Sequence, residues 1–285
     1  MTWTSDERPP EAEIALSAWP RVALRATTLA VLIFGGLGVH LLLRLPEYLA
    51  FGPKRPVTPW LTQAVCRGAL AIMRLSVQID GQPLRDRGAL VANHASWLDI
   101  FVLNAAARVF FVSKAEVAGW PGIGWLARAT GTVFIRRDWR EAASHAATLE
   151  ARLHAGHKLL FFPEGTSSDA QRVLPFKTTL FAAFLTPELR DFLSVQPVSV
   201  VYQVPDGGDP RSLAWWGDMA FGPHLLRVLA RPRAGRVRLI FHASLRVADM
   251  PDRKALALAC ETAVREGFES VRKSSPADER CPRPM

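Results

Sequence analysis

Residues 91–100 read VANHASWLDI, with a histidine and an aspartate five positions apart where one apolar run ends and another begins. Upstream, GALVA at 88–92 is short, apolar and opened by glycine, the pattern of a buried strand; downstream, WLDIFVLNAA has helical spacing. Inside one helix a five-residue step would set His94 and Asp99 roughly 140° apart, on different faces. In a strand-to-helix turn followed by a first helical turn they can meet. Ser96 supports that boundary a second way, because SWLD fits a capping box with Ser96 as N-cap and Asp99 reaching back to the helix entrance. The capping reading accounts for Asp99 and leaves His94 unexplained.

The chain has 285 residues, enough for one large domain or two small ones, and no internal repeat. Its formal charge of +9 favours an anionic partner, nucleic acid or a lipid surface. Residues 26–43, ATTLAVLIFGGLGVHLLL, carry no formal charge. As a helix they would reach about 27 Å, close to a bilayer core. Their distance from the N-terminus and the lack of a cleavage pattern argue against a signal peptide. Arg21 and Arg25 precede the segment while Arg44, Lys54 and Arg55 follow it, so charge assigns no orientation. The glycines of FGGLG suit close helix packing and precede no phosphate loop. Residues 59–79 read as one further helix, either the second arm of an interfacial hairpin or a core helix.

Cys66, Cys260 and Cys281 have no paired spacing, which excludes a disulfide scaffold or zinc ribbon. His154 and His157 fall at a helix end and a strand start, poor placing for a metal pair, and no metal is expected. From residue 88 onward apolar runs at 107–113, 132–137, 157–162, 195–202 and 236–245 alternate with helical stretches at 139–156, 177–185 and 252–272. This alternation predicts an α/β fold, a mixed sheet flanked by helices. The expected organisation is an N-terminal segment 1–57 with the apolar anchor, a domain over 58–273 and a loose polar tail over 274–285.

Four blocks stand in order: NHASWLD at 93–99, GTVFIRR at 131–137, FPEGTSS at 162–168 and VQPVSV at 195–200. Together they resemble the glycerolipid acyltransferase family, which includes the 1-acylglycerol-3-phosphate acyltransferases, over roughly residues 65–205. An NHxxxxD pair suits direct acyl transfer from a thioester to an alcohol. His94 would take the hydroxyl proton, and Asp99 would fix its tautomer and stabilise the imidazolium. A thiol is a good leaving group, so no acyl-enzyme is demanded. A lipid hydrolase is disfavoured by the lack of a G-x-S-x-G elbow.

The resemblance implies that Glu164, Gly165 and Thr166 help bind the acceptor, with Arg136 and Arg137 near its head group. Asn93, Ser96, Pro163 and Pro197 would shape the site. Members that use a phosphate acceptor usually read FPEGTR, whereas position 167 here is Ser, so a guanidinium expected at the phosphate is absent. Lys114 and Lys177 occupy positions that resemble basic positions of the family, although an ammonium lacks the bidentate fork. Some relatives acylate lyso-ornithine lipid, and Asp169 could meet its amine or could simply be a turn residue. The implied activity is acylation of 1-acyl-sn-glycerol-3-phosphate to phosphatidate, with lyso-ornithine lipid as the alternative acceptor and a noncatalytic membrane scaffold as the alternative of another class. Acyl carrier protein or acyl-coenzyme A would be co-substrate, with no cofactor. An anionic membrane surface would be the partner, on the cytoplasmic face of the inner membrane. The Arg-rich stretch 225–246 carries no nucleic-acid motif, so no nucleic-acid partner is expected.

Overall fold

The GALVA run forms strand β2 (Gly88–Ala92), buried along its whole length. Its alternate side chains enter two different cores: Leu90 and Ala92 pack on one face, Ala89 and Val91 on the other. Such a strand must lie inside a sheet covered on both sides. In the computed structural model, which describes residues 3–5, 13–85, 87–136, 142–205 and 208–274, it does.

The other strands are β1 (Leu75–Asp80), β3 (Phe110–Lys114), β4 (Val133–Ile135), β5 (Lys158–Phe161), β6 (Ser194–Gln203), β7 (Gly235–Phe241) and β8 (Leu245–Arg246). Their order is β1-β7-β6-β2-β5-β3-β4, with β8 also on β6. Pairing is parallel except where β6 meets β7 and β8, so the expected mixed α/β sheet is what forms. Helices α2 (Thr58–Met73), α3 (Leu98–Ala106) and α7 (Phe221–Ala230) cover the Leu90 face. The opposite face is covered by α5 (Ala142–His154), α8 (Arg253–Ser274) and a 3-10 segment, Thr178–Leu185. Two short helices, α4 (Ile123–Ala129) and α6 (Pro187–Arg190), lie between strands.

The apolar segment belongs to a longer helix, α1 (Trp19–Phe51), whose 33 residues extend about 50 Å. It does not stand apart from the domain. Arg21 donates to the Ala230 carbonyl at 2.9 and 2.6 Å, and Arg25 donates to the carbonyls of Leu229 and Arg231. These cations satisfy carbonyls left open at the α7 C-terminus. Near the other end, buried Glu47 accepts from the backbone N–H groups of Val57 and Thr58 and from the Thr58 hydroxyl, capping α2. Between these ties the two helices nearly touch: a Cβ on Gly36 would lie 2.7 Å from Val65, and one on Gly68 would lie 2.9 Å from Leu32. Gly35 and Gly38 of the same FGGLG run face open space. The outer face of α1 stays apolar and exposed, with Leu24, Val31, Leu42, Leu45 and Leu49 uncovered.

Three local expectations need correction. The stretch 59–79 is not one helix, because α2 ends where Arg74 turns left-handed at φ 56°, and alternating LSVQID then forms β1 beside β7. α2 itself packs on α3 with Cys66, Ala69, Leu70 and Met73 buried, as a core helix does. Residues 178–185 wind as 3-10 rather than α-helix, and the strand within 132–137 is confined to Val133–Ile135. Arg137 and tail residues 275–285 lie outside the described residues, while Ser274 ends α8.

Candidate active site

Strand β2 delivers the chain to the carboxyl edge of the sheet, the edge at which open α/β sheets bind ligands. Asn93 prolongs the strand with its side chain: its amide donates to the Val200 carbonyl at 2.9 Å and accepts from the Val200 N–H at 2.8 Å. This mimics one more rung of the β2–β6 ladder beyond Ala92–Val198. His94 is therefore launched from a fixed base.

The next residues turn into α3, which begins at Leu98, with Trp97 rather than Ser96 as its N-cap. Ser96 Oγ still accepts weakly from the Leu98 N–H at 3.4 Å. Asp99, wholly buried, closes the turn: Oδ2 accepts from the N–H groups of Ala95 (2.9 Å) and Ser96 (3.0 Å) and lies 2.8 Å from His94 Nδ1. One carboxylate thus caps the helix entrance and holds the imidazole. Because Oδ2 is already an acceptor of two N–H donors, Nδ1 carries the ring proton and Nε2 keeps a lone pair. Among the described residues Nε2 has no hydrogen-bond partner, and the side chain is 21% exposed. The ring stacks on Phe162 with centroids 4.1 Å apart.

Asp99 has a fourth donor, absent from the expected site set. Tyr202, on β6 and buried, donates its hydroxyl to Oδ1 at 2.5 Å. A clue lies in the alternation of SVQPVSVVYQ, which sends Val198, Val200 and Tyr202 to the α3 side of the sheet. A tyrosine on an otherwise apolar strand face needs an acceptor there.

The FPEGTSS loop leaves the neighbouring strand β5 at the same edge. Glu164 points inward: Oε2 accepts from the His94 N–H at 3.1 Å and Oε1 from the Leu174 N–H at 2.9 Å. Burial pushes its carboxyl well above the usual range, opposed by those two backbone donors. Both oxygens are committed to the backbone, so Glu164 braces the turn that carries His94. Gly165 stands at φ 70°, where a side chain would be strained, and donates to Phe162 O. Pro163 O accepts from the Lys177 N–H, which fastens the two ends of the loop. Ser168 donates to His94 O from its N–H (2.9 Å), and its hydroxyl lies between His94 O (3.3 Å) and Arg172 O (3.1 Å), with one proton to donate. Trp215 N–H bonds Ala95 O at 2.8 Å from a third direction. Thr166 Oγ1 accepts from the Trp3 N–H at 3.3 Å, and Ser167 is buried beside it.

Lys114 ends β3 and Arg136 follows β4, both at the carboxyl edge. With strands about 4.8 Å apart, β3 lies roughly 10 Å and β4 roughly 14 Å from β2, so these cations flank His94 at a distance. Lys177 is exposed, with its backbone tied to the FPEG loop. Pro197 sits mid-strand, paired with Val91, and its carbonyl accepts from His242 between β7 and β8. A residue without an N–H costs little where the partner strand is interrupted. Asp169 forms a turn, accepting from Gln171 N–H and pairing with Arg172 at 3.0 Å. No group of three metal-ligating side chains occurs among the described residues.

The Acyltransferase family model matches residues 76–201, from β1 through β6. The chain is 54% identical over 266 residues to the lyso-ornithine lipid O-acyltransferase of Rhodobacter capsulatus, covering 93% of this chain and 96% of that one. It is 31% identical over 204 residues to the 1-acyl-sn-glycerol-3-phosphate acyltransferase of Neisseria meningitidis, over 70% and 77% of the two chains. Among solved structures, the 1-acyl-sn-glycerophosphate acyltransferase PlsC of Thermotoga maritima shares the fold, with a TM-score of 0.64 at 22% identity over 92% of this chain and 98% of that one. Identity above one half, sustained across nearly the full length of both chains, is a mark of common descent, and this chain belongs to the acyltransferase family.

Proposed function

We propose that this acyltransferase moves a fatty acyl group from a thioester to the free hydroxyl of lyso-ornithine lipid. The observation that carries the acceptor is the 54% identity to a lyso-ornithine lipid O-acyltransferase along nearly the whole chain. Ser167 agrees with it, since the position lacks the guanidinium that the resemblance expects opposite a phosphate. The default expected from family breadth, lysophosphatidate, becomes the second reading, favoured by the Neisseria relative.

His94 Nε2 accepts the acceptor's hydroxyl proton as that oxygen attacks the thioester carbonyl. Collapse of the tetrahedral adduct breaks the C–S bond, and the departing thiolate takes the proton back from the imidazolium. Asp99 holds the tautomer and faces the transient positive charge. Thioester plus alcohol balance to ester plus thiol, so acyl carrier protein or acyl-coenzyme A suffices as donor and no cofactor is called for. Lys114, Arg136, Arg137 and Lys177 supply positive charge for a carboxylate or phosphate on the acceptor, while Glu164, Gly165, Thr166 and Ser167 shape its loop. The exposed apolar face of α1 and the net charge of +9 support attachment to an anionic membrane. We assign it to the cytoplasmic face of the inner membrane, where acyl donors are made. Residues 1–57 would form the membrane-binding segment and 58–273 the catalytic domain.

The test offers the purified enzyme an acyl-coenzyme A donor with lyso-ornithine lipid or lysophosphatidate, separately. Faster conversion of lyso-ornithine lipid, abolished by His94→Ala, is expected. Preference for lysophosphatidate would overturn the acceptor. No transfer to any lysolipid from either acyl-coenzyme A or acyl carrier protein, with cellular function unchanged in His94→Ala, would favour the scaffold.

A further inference from the structure

The Asp99 carboxylate is unevenly loaded. Oδ2 serves His94 Nδ1, Ala95 N–H and Ser96 N–H, all within the turn. Oδ1 is held from across the sheet by the Tyr202 hydroxyl at 2.5 Å. The bond joins the helix that carries Asp99 to the strand whose Val200 backbone already anchors Asn93. The two flanks of His94 are thus both referenced to β6. A hydroxyl with no role beyond filling space would be out of place in a fully buried position, since an unmatched polar group costs free energy there.

We propose that Tyr202 is a positioning residue of this acyltransferase, acting through Asp99 to orient the His94 imidazole and to set how strongly the carboxylate supports its positive charge. The inference rests on His94 being the general base. A neutral donor on Oδ1 draws electron density away from Oδ2 and so weakens the stabilisation of an imidazolium. It also removes the freedom of the carboxylate to rotate about its last torsion, which would carry Oδ2 off Nδ1. The phenol remains neutral for this task, because burial first, and the nearby Asp99 charge second, push its ionisation well above the usual tyrosine range.

The groups that face the pair from neighbouring elements are few. Glu164, on the loop after β5, bonds the His94 N–H, and the Arg265 charge on α8 reaches that carboxyl. His224 on α7 accepts from Trp97 Nε1 at 3.0 Å and is pushed down to about 4 by burial, so it is uncharged near neutral pH. None of these changes when Tyr202 alone is altered.

The experiment uses full-length protein in detergent micelles with 13C-labelled histidine, the His94 signal being identified by its loss in His94→Ala. Tyr202→Phe keeps the ring and deletes the hydroxyl. The pH at which the His94 signal is half-shifted should rise by about one unit, the scale of one charge-assisted hydrogen bond. The acid limb of the pH–rate profile should move the same way, and turnover at the plateau should fall about tenfold. An opposite change tests the sign without risk to the fold. The chain has two tyrosines, and Tyr48 lies exposed on α1. In a Tyr48→Phe background, 3-fluorotyrosine therefore labels Tyr202 alone and strengthens its donation, and the half-shift should move down. If neither change moves the half-shift while His94→Ala is inactive, the proposal is overturned and the acyl-transfer reading stands. If His94→Ala keeps near-normal turnover, both fall.

Discussion

Replacing Asp99 by Asn separates its two duties, capping the turn and facing the imidazolium. An amide oxygen in the place of Oδ2 can still accept from Ala95 N–H, Ser96 N–H and His94 Nδ1–H, while its NH2 meets the Tyr202 oxygen as donor. The turn survives and the negative charge is lost. With charge centres about 4 Å apart and an effective dielectric constant near 20, the lost attraction for an imidazolium is about 4 kcal/mol. That corresponds to a fall of about 10³ in turnover. Asp99→Ala, by contrast, leaves two backbone N–H groups and a hydroxyl without an acceptor in a fully buried site. At about 1–3 kcal/mol each, that threatens the fold as well. The assay follows thiol release from acyl-coenzyme A with lyso-ornithine lipid, alongside thermal melting of each variant. An Asp99→Asn protein that melts like the parent and turns over within tenfold of it would refute the charge argument.

Other consequences are as direct. Because burial raises the Glu164 carboxyl above its ordinary value of 4.5, its contribution to stability is full below that pH and is lost as pH rises toward the folded-state value. Glu164→Gln should lower stability by about 1–3 kcal/mol, since an amide NH2 faces a backbone N–H, and should flatten this pH dependence in denaturant titrations from pH 4.5 upward. An unchanged slope would remove Glu164 as its source. Ser167→Arg should lower the Michaelis constant for lysophosphatidate about tenfold and raise that for lyso-ornithine lipid, as a guanidinium meets phosphate in one and an amine in the other. Indifference of both would show that position 167 does not read the head group. On α1, Leu42→Glu with Leu45→Glu should weaken binding to anionic vesicles at least a hundredfold, from a loss of about 3 kcal/mol or more of apolar burial. Undiminished co-sedimentation would place the membrane contact elsewhere.

Sequence alone determined what depends on neighbours in the chain. The apolar run GALVA followed by a helical pattern fixes a strand-turn-helix, and that short segment suffices to bring His94 within reach of Asp99. The apolar length of 26–43 marks the helix that becomes α1, and the alternation of runs after residue 88 marks the sheet. Longer-range contacts decided the rest. The end of α2 at Arg74 depends on β7 offering LSVQID a parallel edge, which no window around residue 75 contains. Glu164 binds the His94 and Leu174 N–H groups with its two oxygens because β2 and β5 lie side by side, a pairing that the FPEGTSS block by itself does not reveal. Tyr202 stands 103 positions from Asp99 and meets it only once β6 has paired with β2. Periodicity reports which face of an element is buried, while the choice of partner across that face is made by sheet order, and hydrogen bonds of fixed length and direction then select the atoms that touch.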